Sequence, residues 1–157
     1  MVETESKEQQ PSVPLYEADL HQPSADAPER DLLPELRPIF KALRKLCRGI
    51  PRAVENVRHD GPHWKWIWAY ERDGYTLCAI HPMQTGVDLS FPLPQRYEPR
   101  FEKAELDPVV REAVSKGATA AKVRYARIAV PDVDAAARLF QGVELKLQLM
   151  AEEGKGA

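Results

Sequence analysis

Apolar side chains at Leu32, Leu36, Ile39, Phe40, Leu43, Leu46, Cys47 and Ile50 recur every three or four residues, the spacing that lays one stripe along a helix. Pro34 and Pro38 fit only near the start of such a helix, where a missing N–H costs nothing, and Gly49 supplies a stop. The pattern therefore predicts a helix over about 35–48. Its opposite face carries Arg37, Lys41, Arg44, Lys45 and Arg48. The period then changes. Ala53 to Arg58 reads as a weakly alternating first strand, and Gly61-Pro62 breaks the chain. The stretch from His63 to Glu71 puts Trp64, Trp66, Trp68 and Tyr70 on one side and Lys65, Ile67 and Ala69 on the other, the period of two that a strand requires. Arg72-Asp73-Gly74 is a tight-turn signal before a second β-rich run, Tyr75 to His81, which predicts a hairpin with Asp73-Gly74 at its tip.

Val87-Asp88-Leu89-Ser90-Phe91 alternates cleanly and predicts a half-buried strand, after which Pro92, Pro94 and Pro99 suggest a loop over 92–104. Asp107-Pro108 has the chemistry of an N-cap followed by a first-position proline, so a short helix is expected to about Ser115, with Gly117 ending it. Val123 to Val130 predicts the last strand, with Ala126, Ile128 and Val130 on one side and Tyr125, Arg127 and Ala129 on the other. Asp132 caps a final helix to Met150, in which Gly142 costs about 1 kcal/mol of helix propensity. Short turns pair strands antiparallel, and helices at both ends of the strand run can share a face. The expected fold is α+β: a two-layer sandwich, mainly antiparallel, of about five strands, with the N- and C-terminal helices packed on one face.

Composition changes this picture mainly at the ends. At 157 residues, 43% hydrophobic and 29% charged, the chain has the size and balance of one globular domain. Residues 1–30 are rich in Glu, Gln, Ser and Pro without apolar periodicity, and are expected to form a disordered acidic tail. A single domain is expected over 31–150 and a flexible C-terminus over 151–157. No run of about eighteen apolar residues occurs, and the opening Met-Val-Glu-Thr-Glu-Ser-Lys-Glu lacks a basic region followed by an apolar one, so a cytoplasmic protein without a membrane partner is expected. The net charge of −2 hides a split: residues 1–30 carry 2 basic and 7 acidic side chains, residues 31–150 carry 19 and 15. That small basic surplus argues against a nucleic-acid partner. Cys47 and Cys78 stand alone at no metal-motif spacing and read as reduced core thiols.

The candidate chemistry is sparse. Trp64, Trp66 and Trp68, read as one row, are either core beneath the helices or a platform on the uncovered face. In the second case the row would lie beside Tyr125 and Arg127 and would suit a flat ligand, a cation or a base. His59 and His63 bracket Gly61-Pro62 rather than sharing a helix face, and Cys78 and His81 point to opposite faces of a strand, so no metal site is expected. No nucleophile elbow, phosphate loop, dinucleotide turn or zinc-protease motif occurs, which assigns no catalytic residue and no cofactor.

With Val57-Arg58-His59-Asp60-Gly61-Pro62, the strand ending Leu77-Cys78-Ala79-Ile80-His81, Val87-Asp88-Leu89-Ser90-Phe91, Lys122-Val123-Arg124-Tyr125 and Asp132-Val133-Asp134, the chain resembles the YdhG-like family of bacterial domains of unknown function over roughly Leu36 to Leu149. The resemblance implies a compact fold often compared with frataxin and, for some relatives, a role as an intracellular iron chaperone. Iron handling of that kind needs carboxylates on the first helix, whereas the helix here is basic. The expectation from the residues is a non-enzymatic module that binds a small molecule or a protein. Iron delivery is the alternative the resemblance offers, and single-stranded nucleic-acid binding through the tryptophan row with Lys122, Arg124 and Arg127 is a weaker one.

Overall fold

A computed structural model describes residues 13–154. It is α+β, with six antiparallel strands in the order β1-β2-β3-β4-β6-β5. The strands are β1 (Val54–His59), β2 (Trp66–Arg72), β3 (Tyr75–Pro82), β4 (Val87–Pro94), β5 (Ala118–Ala120) and β6 (Val123–Ala129). The helices are α1 (Pro28–Asp31), α2 (Arg37–Arg48), α3 (Gly61–Trp64), α4 (Glu98–Lys103), α5 (Pro108–Lys116) and α6 (Val133–Gly154). Among these described residues no helix is long and apolar enough to cross a membrane.

The layers follow from alternation. β4 buries Val87, Leu89, Phe91 and Leu93, and β6 buries Ala126 and Ile128, into one core shared with Phe40, Leu43 and Cys47 of α2, Val110 and Val114 of α5, and Leu139, Phe140 and Val143 of α6. α2, α5 and α6 therefore cover the same face. Asp107 Oδ1 accepts from Val109 N–H at 2.9 Å and Asp132 Oδ1 from Ala135 N–H at 2.8 Å, so both expected N-caps form. Gly142 has a packing reason beyond its propensity cost: a Cβ there would come within 2.8 Å of Val110 Cγ1 and 3.2 Å of the Phe91 ring, so its absence lets α6 seat against α5 and the sheet.

Register explains three departures from expectation. Pairing passes from Tyr70↔Cys78 to Glu71↔Thr76, leaving Leu77 as the extra residue of a bulge, so that both Leu77 and Cys78 are buried. The buried Lys146 ammonium donates to Thr76 O at 3.2 Å and Leu77 O at 2.9 Å at this bulge, and its burial pushes its pKa down to about 8. The expected loop over 92–104 begins as strand, because β4 continues to Pro94 and pairs with β6 through Pro92↔Tyr125 and Pro94↔Val123. Val87 O accepts from Val130 N–H at 3.0 Å, so odd-numbered residues of β4 face β6. The two prolines are turned to the β3 side, where pairing has already ended at Ser90, and no ladder bond is lost. Finally, β5 is a strand the sequence did not announce, joined to β6 by a turn in which Ala121 and Lys122 both take positive φ, 51° and 65°.

Both expected flexible ends fall partly within the described residues. Of the presumed disordered tail, residues 1–12 lie outside the described residues, and the rest packs as a strap. Leu15 N–H donates to Pro82 O at 3.1 Å, Gln84 N–H to Val13 O at 2.7 Å, and Pro14 bridges Met83. Trp66 Nε1 donates to Ala18 O and Trp68 Nε1 to Ala25 O, each at 2.9 Å. Indole N–H groups under cover need acceptors, and an irregular segment can supply carbonyls without any apolar period. Arg44, expected on the solvated face of its helix, is instead 3% exposed. It holds Asp26 and Glu29 of this segment, both at 2.6 Å, and Glu55 of β1 at 2.8 Å. At the other end, α6 runs through Ala151 to Gly154, with Glu152 paired to Arg100 at 3.1 Å and Glu153 to Arg96 Nε at 2.6 Å. Residues 155–157 lie outside the described residues.

The β2–β3 hairpin turns at Asp73-Gly74, with Arg72 paired to Tyr75 and φ of 52° and 82° at the two tip residues. Positive φ at both positions is the primed turn that matches strand twist. Substituting Gly74→Val places a β-branched residue at 82° and should destabilise the protein by more than ~1 kcal/mol, read from its chemical denaturation midpoint. An unchanged midpoint would contradict this account of the turn.

Candidate functional site: the uncovered sheet face

Among the described residues the second face of the sheet has no helical layer. Its only apolar cluster among the described residues is Ile67 and Ala69 of β2 with Ala79 of β3, roofed by Trp64. The expected row of three tryptophans is corrected here. Trp66 and Trp68 do alternate together, but toward the helices, where Trp68 is wholly buried against Phe40 at 5.7 Å between ring centroids. Trp64 is not in the strand. Gly61-Pro62 starts a single helical turn, and Lys65 then takes φ 54° and ψ −126°, which resets the phase of the alternation before β2 begins at Trp66. The ring of Trp64 consequently lies over the opposite face.

What holds it there is the product of register. Ala79 pairs with Ser90, His81 with Asp88, and Ser90 with Arg127, so β3, β4 and β6 set His81, Asp88, Ser90 and Arg127 side by side on the uncovered face. Arg127 Nε donates to Asp88 Oδ2 at 2.7 Å, and the guanidinium carbon stands 4.2 Å from the Trp64 ring centroid. The His81 ring lies 4.6 Å from the same indole. Burial pushes the Asp88 carboxyl up, and the Arg127 cation opposes that shift.

A cleft of about 530 Å³ opens beside this stack, within the range of small-molecule sites. Trp64 and Tyr125 contribute aromatic surface, Ile67 and Ala79 an apolar floor, and Arg58, Asp60, Thr76, His81 and Ser90 polar groups. Of the site residues expected from sequence, the fold thus brings together Trp64, Tyr125 and Arg127, with Arg127 against the indole but not lining this cleft, and places Trp66 and Trp68 elsewhere. Arg58 is tied to Glu71 and donates to Thr76 Oγ1 at 3.2 Å, while its buried Nε has no partner among the described residues. His81 is 2% exposed; its Nε2 lies 2.6 Å from Ser90 Oγ and its buried Nδ1 has no partner among the described residues. Arg58, His81 and Ser90 were missed by sequence reasoning. Alternation in β3 and β4 already put Ala79 with His81, and Asp88 with Ser90, on a common side; only the pairing register makes them neighbours.

The Ser90–His81 contact has the form of a nucleophile beside a base. Two further parts of that chemistry are lacking among the described residues. Asp88, which faces His81 across the ladder, is engaged by Arg127, and no group orients His81 Nδ1. Ser90 itself sits inside regular pairing on both sides, with Ala79 and with Arg127. His59 bonds to Asp19 at 3.0 Å and packs on Trp66 at the helix-side rim, and no group of three His, Cys, Asp or Glu side chains able to hold a metal occurs among the described residues. Comparison of the chain with protein-family models and with curated proteins finds no match.

Burial first, and the Arg127 cation second, push the His81 pKa well down from its ordinary value near 6.5, so the folded protein keeps a neutral imidazole. In the unfolded chain the ring takes up a proton as pH falls through about 6.5. The unfolded state then binds more protons, so His81 contributes stability above that pH and loses it below. Unfolding free energy should fall by up to about 1.4 kcal/mol per pH unit on this account between pH 6 and 5. His81→Gln should flatten that slope, measured by denaturant titration at each pH; an identical slope in the variant would contradict the assignment.

Proposed function

We propose that this protein is a non-enzymatic binding module whose ligand is a flat, largely apolar small molecule held in the cleft on the uncovered sheet face. The observation that carries the reading is the combination of Trp64 and Tyr125, 47% exposed, over a floor of small apolar side chains on a sheet face that the fold leaves without a helical layer. Aromatic walls favour stacking, and the floor residues Ile67 and Ala79 leave room for a ring. The partnerless Nε of Arg58 and Nδ1 of His81, both on residues lining the cleft, favour a ligand that carries a hydrogen-bond acceptor. Each cation near the cleft already has its own carboxylate, Arg58 with Glu71 and Arg127 with Asp88, which favours an uncharged ligand over a polyanion. A single-stranded nucleic acid is disfavoured for the same reason, and because the stacking platform reduces to Trp64 and Tyr125.

The test is a screen of uncharged planar heteroaromatic fragments followed by protein fluorescence. Trp64→Ala and Tyr125→Ala should each weaken a hit at least about tenfold, the loss of one stacking partner worth ~1.4 kcal/mol or more. Leu33→Ala, an exposed change on the other side of the molecule's core, should leave affinity unaltered. Saturable binding that survives loss of both aromatic residues, or no fragment binding tighter than millimolar, would overturn the proposal.

A further inference from the structure

Cys47 lies in the last turn of α2 and Cys78 in β3, and their Sγ atoms meet at 3.7 Å with both residues wholly buried. They are 31 residues apart in sequence, and each belongs to a different layer of the sandwich. A disulfide needs about 2.05 Å between the sulfurs, so the two side chains have to close less than 2 Å, which small χ1 adjustments on each side can supply. Burial, and then the contact with Cys78, push the Cys47 thiol well up, which makes it slow to react while the core is closed. Both sulfurs are wholly buried, so reaction with an oxidant requires local opening of this part of the core.

We propose that Cys47 and Cys78 form a redox-modifiable dithiol that closes to an intramolecular disulfide on exposure to a peroxide. In the first step one thiolate attacks a peroxide oxygen: an S–O bond forms, the O–O bond breaks, and the leaving oxygen departs as water once protonated. In the second, the neighbouring sulfur attacks the resulting sulfenic sulfur: the S–S bond forms, the S–O bond breaks, and a second water leaves. Two thiols are oxidised by two electrons and one hydrogen peroxide is reduced to two waters. The contact at 3.7 Å places the second sulfur against the first before another peroxide can arrive, which favours the disulfide over sulfinic acid. The bond joins the helix layer to β3, the strand that also carries Ala79 and His81 of the cleft. This inference is independent of what the cleft binds.

The experiment treats the folded full chain with hydrogen peroxide, quenches, and counts thiols after denaturation, with peptide mapping and a thermal melt of the same sample. The expected result is coordinate loss of both thiols, a peptide linking Cys47 to Cys78, recovery on treatment with a dithiol reductant, and a Tm raised by about 3 °C or more from closure of the intervening loop. Cys78→Ala should lose the linked peptide and the Tm increase together; should that variant not fold, Cys47→Ala serves the same purpose. Thiols that remain free, thiols lost as sulfinic or sulfonic acids, linkage between chains, or an unchanged Tm in the linked form would overturn the proposal.

Discussion

A strand must send successive side chains to opposite faces, and the long helices of this protein lie on only one of them. That constraint orders the rest of the molecule. On the covered side, Val87, Leu89, Phe91, Leu93, Ala126 and Ile128 meet α2, α5 and α6 in a single core. On the other side, the residues between them, Asp88, Ser90, Pro92, Tyr125 and Arg127, have no helical layer to pack against. On this face Arg58 pairs with Glu71, Arg127 with Asp88 and Ser90 with His81, Arg58 Nε and His81 Nδ1 are left without a partner among the described residues, and one indole packs on the apolar remainder. The cleft is what the roof of Trp64 leaves open, and its chemistry is that of a face half apolar and half internally paired.

The covered side has its own demanding group. Arg44 is a buried cation, and a buried charge is tolerable only with partners. Its three partners come from two places: Asp26 and Glu29 from the strap, and Glu55 from β1, which also accepts from Tyr70 Oη at 2.6 Å and from Arg48 at 2.9 Å. The bonds to Arg44 help hold the Glu55 carboxyl down to about 2 even though burial pushes it the other way. The knot thereby fastens the strap, α2 and the edge strand β1 together. Residues 13–30, which composition assigns to a disordered tail, supply carboxylates to Arg44 and carbonyls to two indoles.

The sequence was most legible where the chemistry is local. Asp73-Gly74 specified its turn, Asp107 and Asp132 their caps, and the alternation of β4 its facing. It misled wherever a backbone event intervened between residues that a simple count treats as one series. Lys65, a non-glycine residue at φ 54°, separates Trp64 from Trp66 and sends them to opposite faces, and nothing in its identity signals that conformation. Ala121-Lys122 likewise makes a two-residue turn without the usual Asn or Gly, so the three-residue β5 left no trace. Pro92 and Pro94 read as loop because their harmlessness depends on which ladder they face. The site was half legible: Trp64, Tyr125 and Arg127 were identified by type, whereas His81 and Ser90 became neighbours only through the β3–β4 register.

The central claim is that a ligand occupies the uncovered face rather than the helix side. The most direct measurement is amide chemical-shift mapping of the isotope-labelled protein with a bound planar fragment. The account predicts the largest changes at Ile67, Ala79, His81, Ser90 and Tyr125, with the indole N–H of Trp64 shifting and those of Trp66 and Trp68 unmoved. Shifts concentrated on α2, α6 and the strap, with the Trp64 indole unmoved, would contradict it.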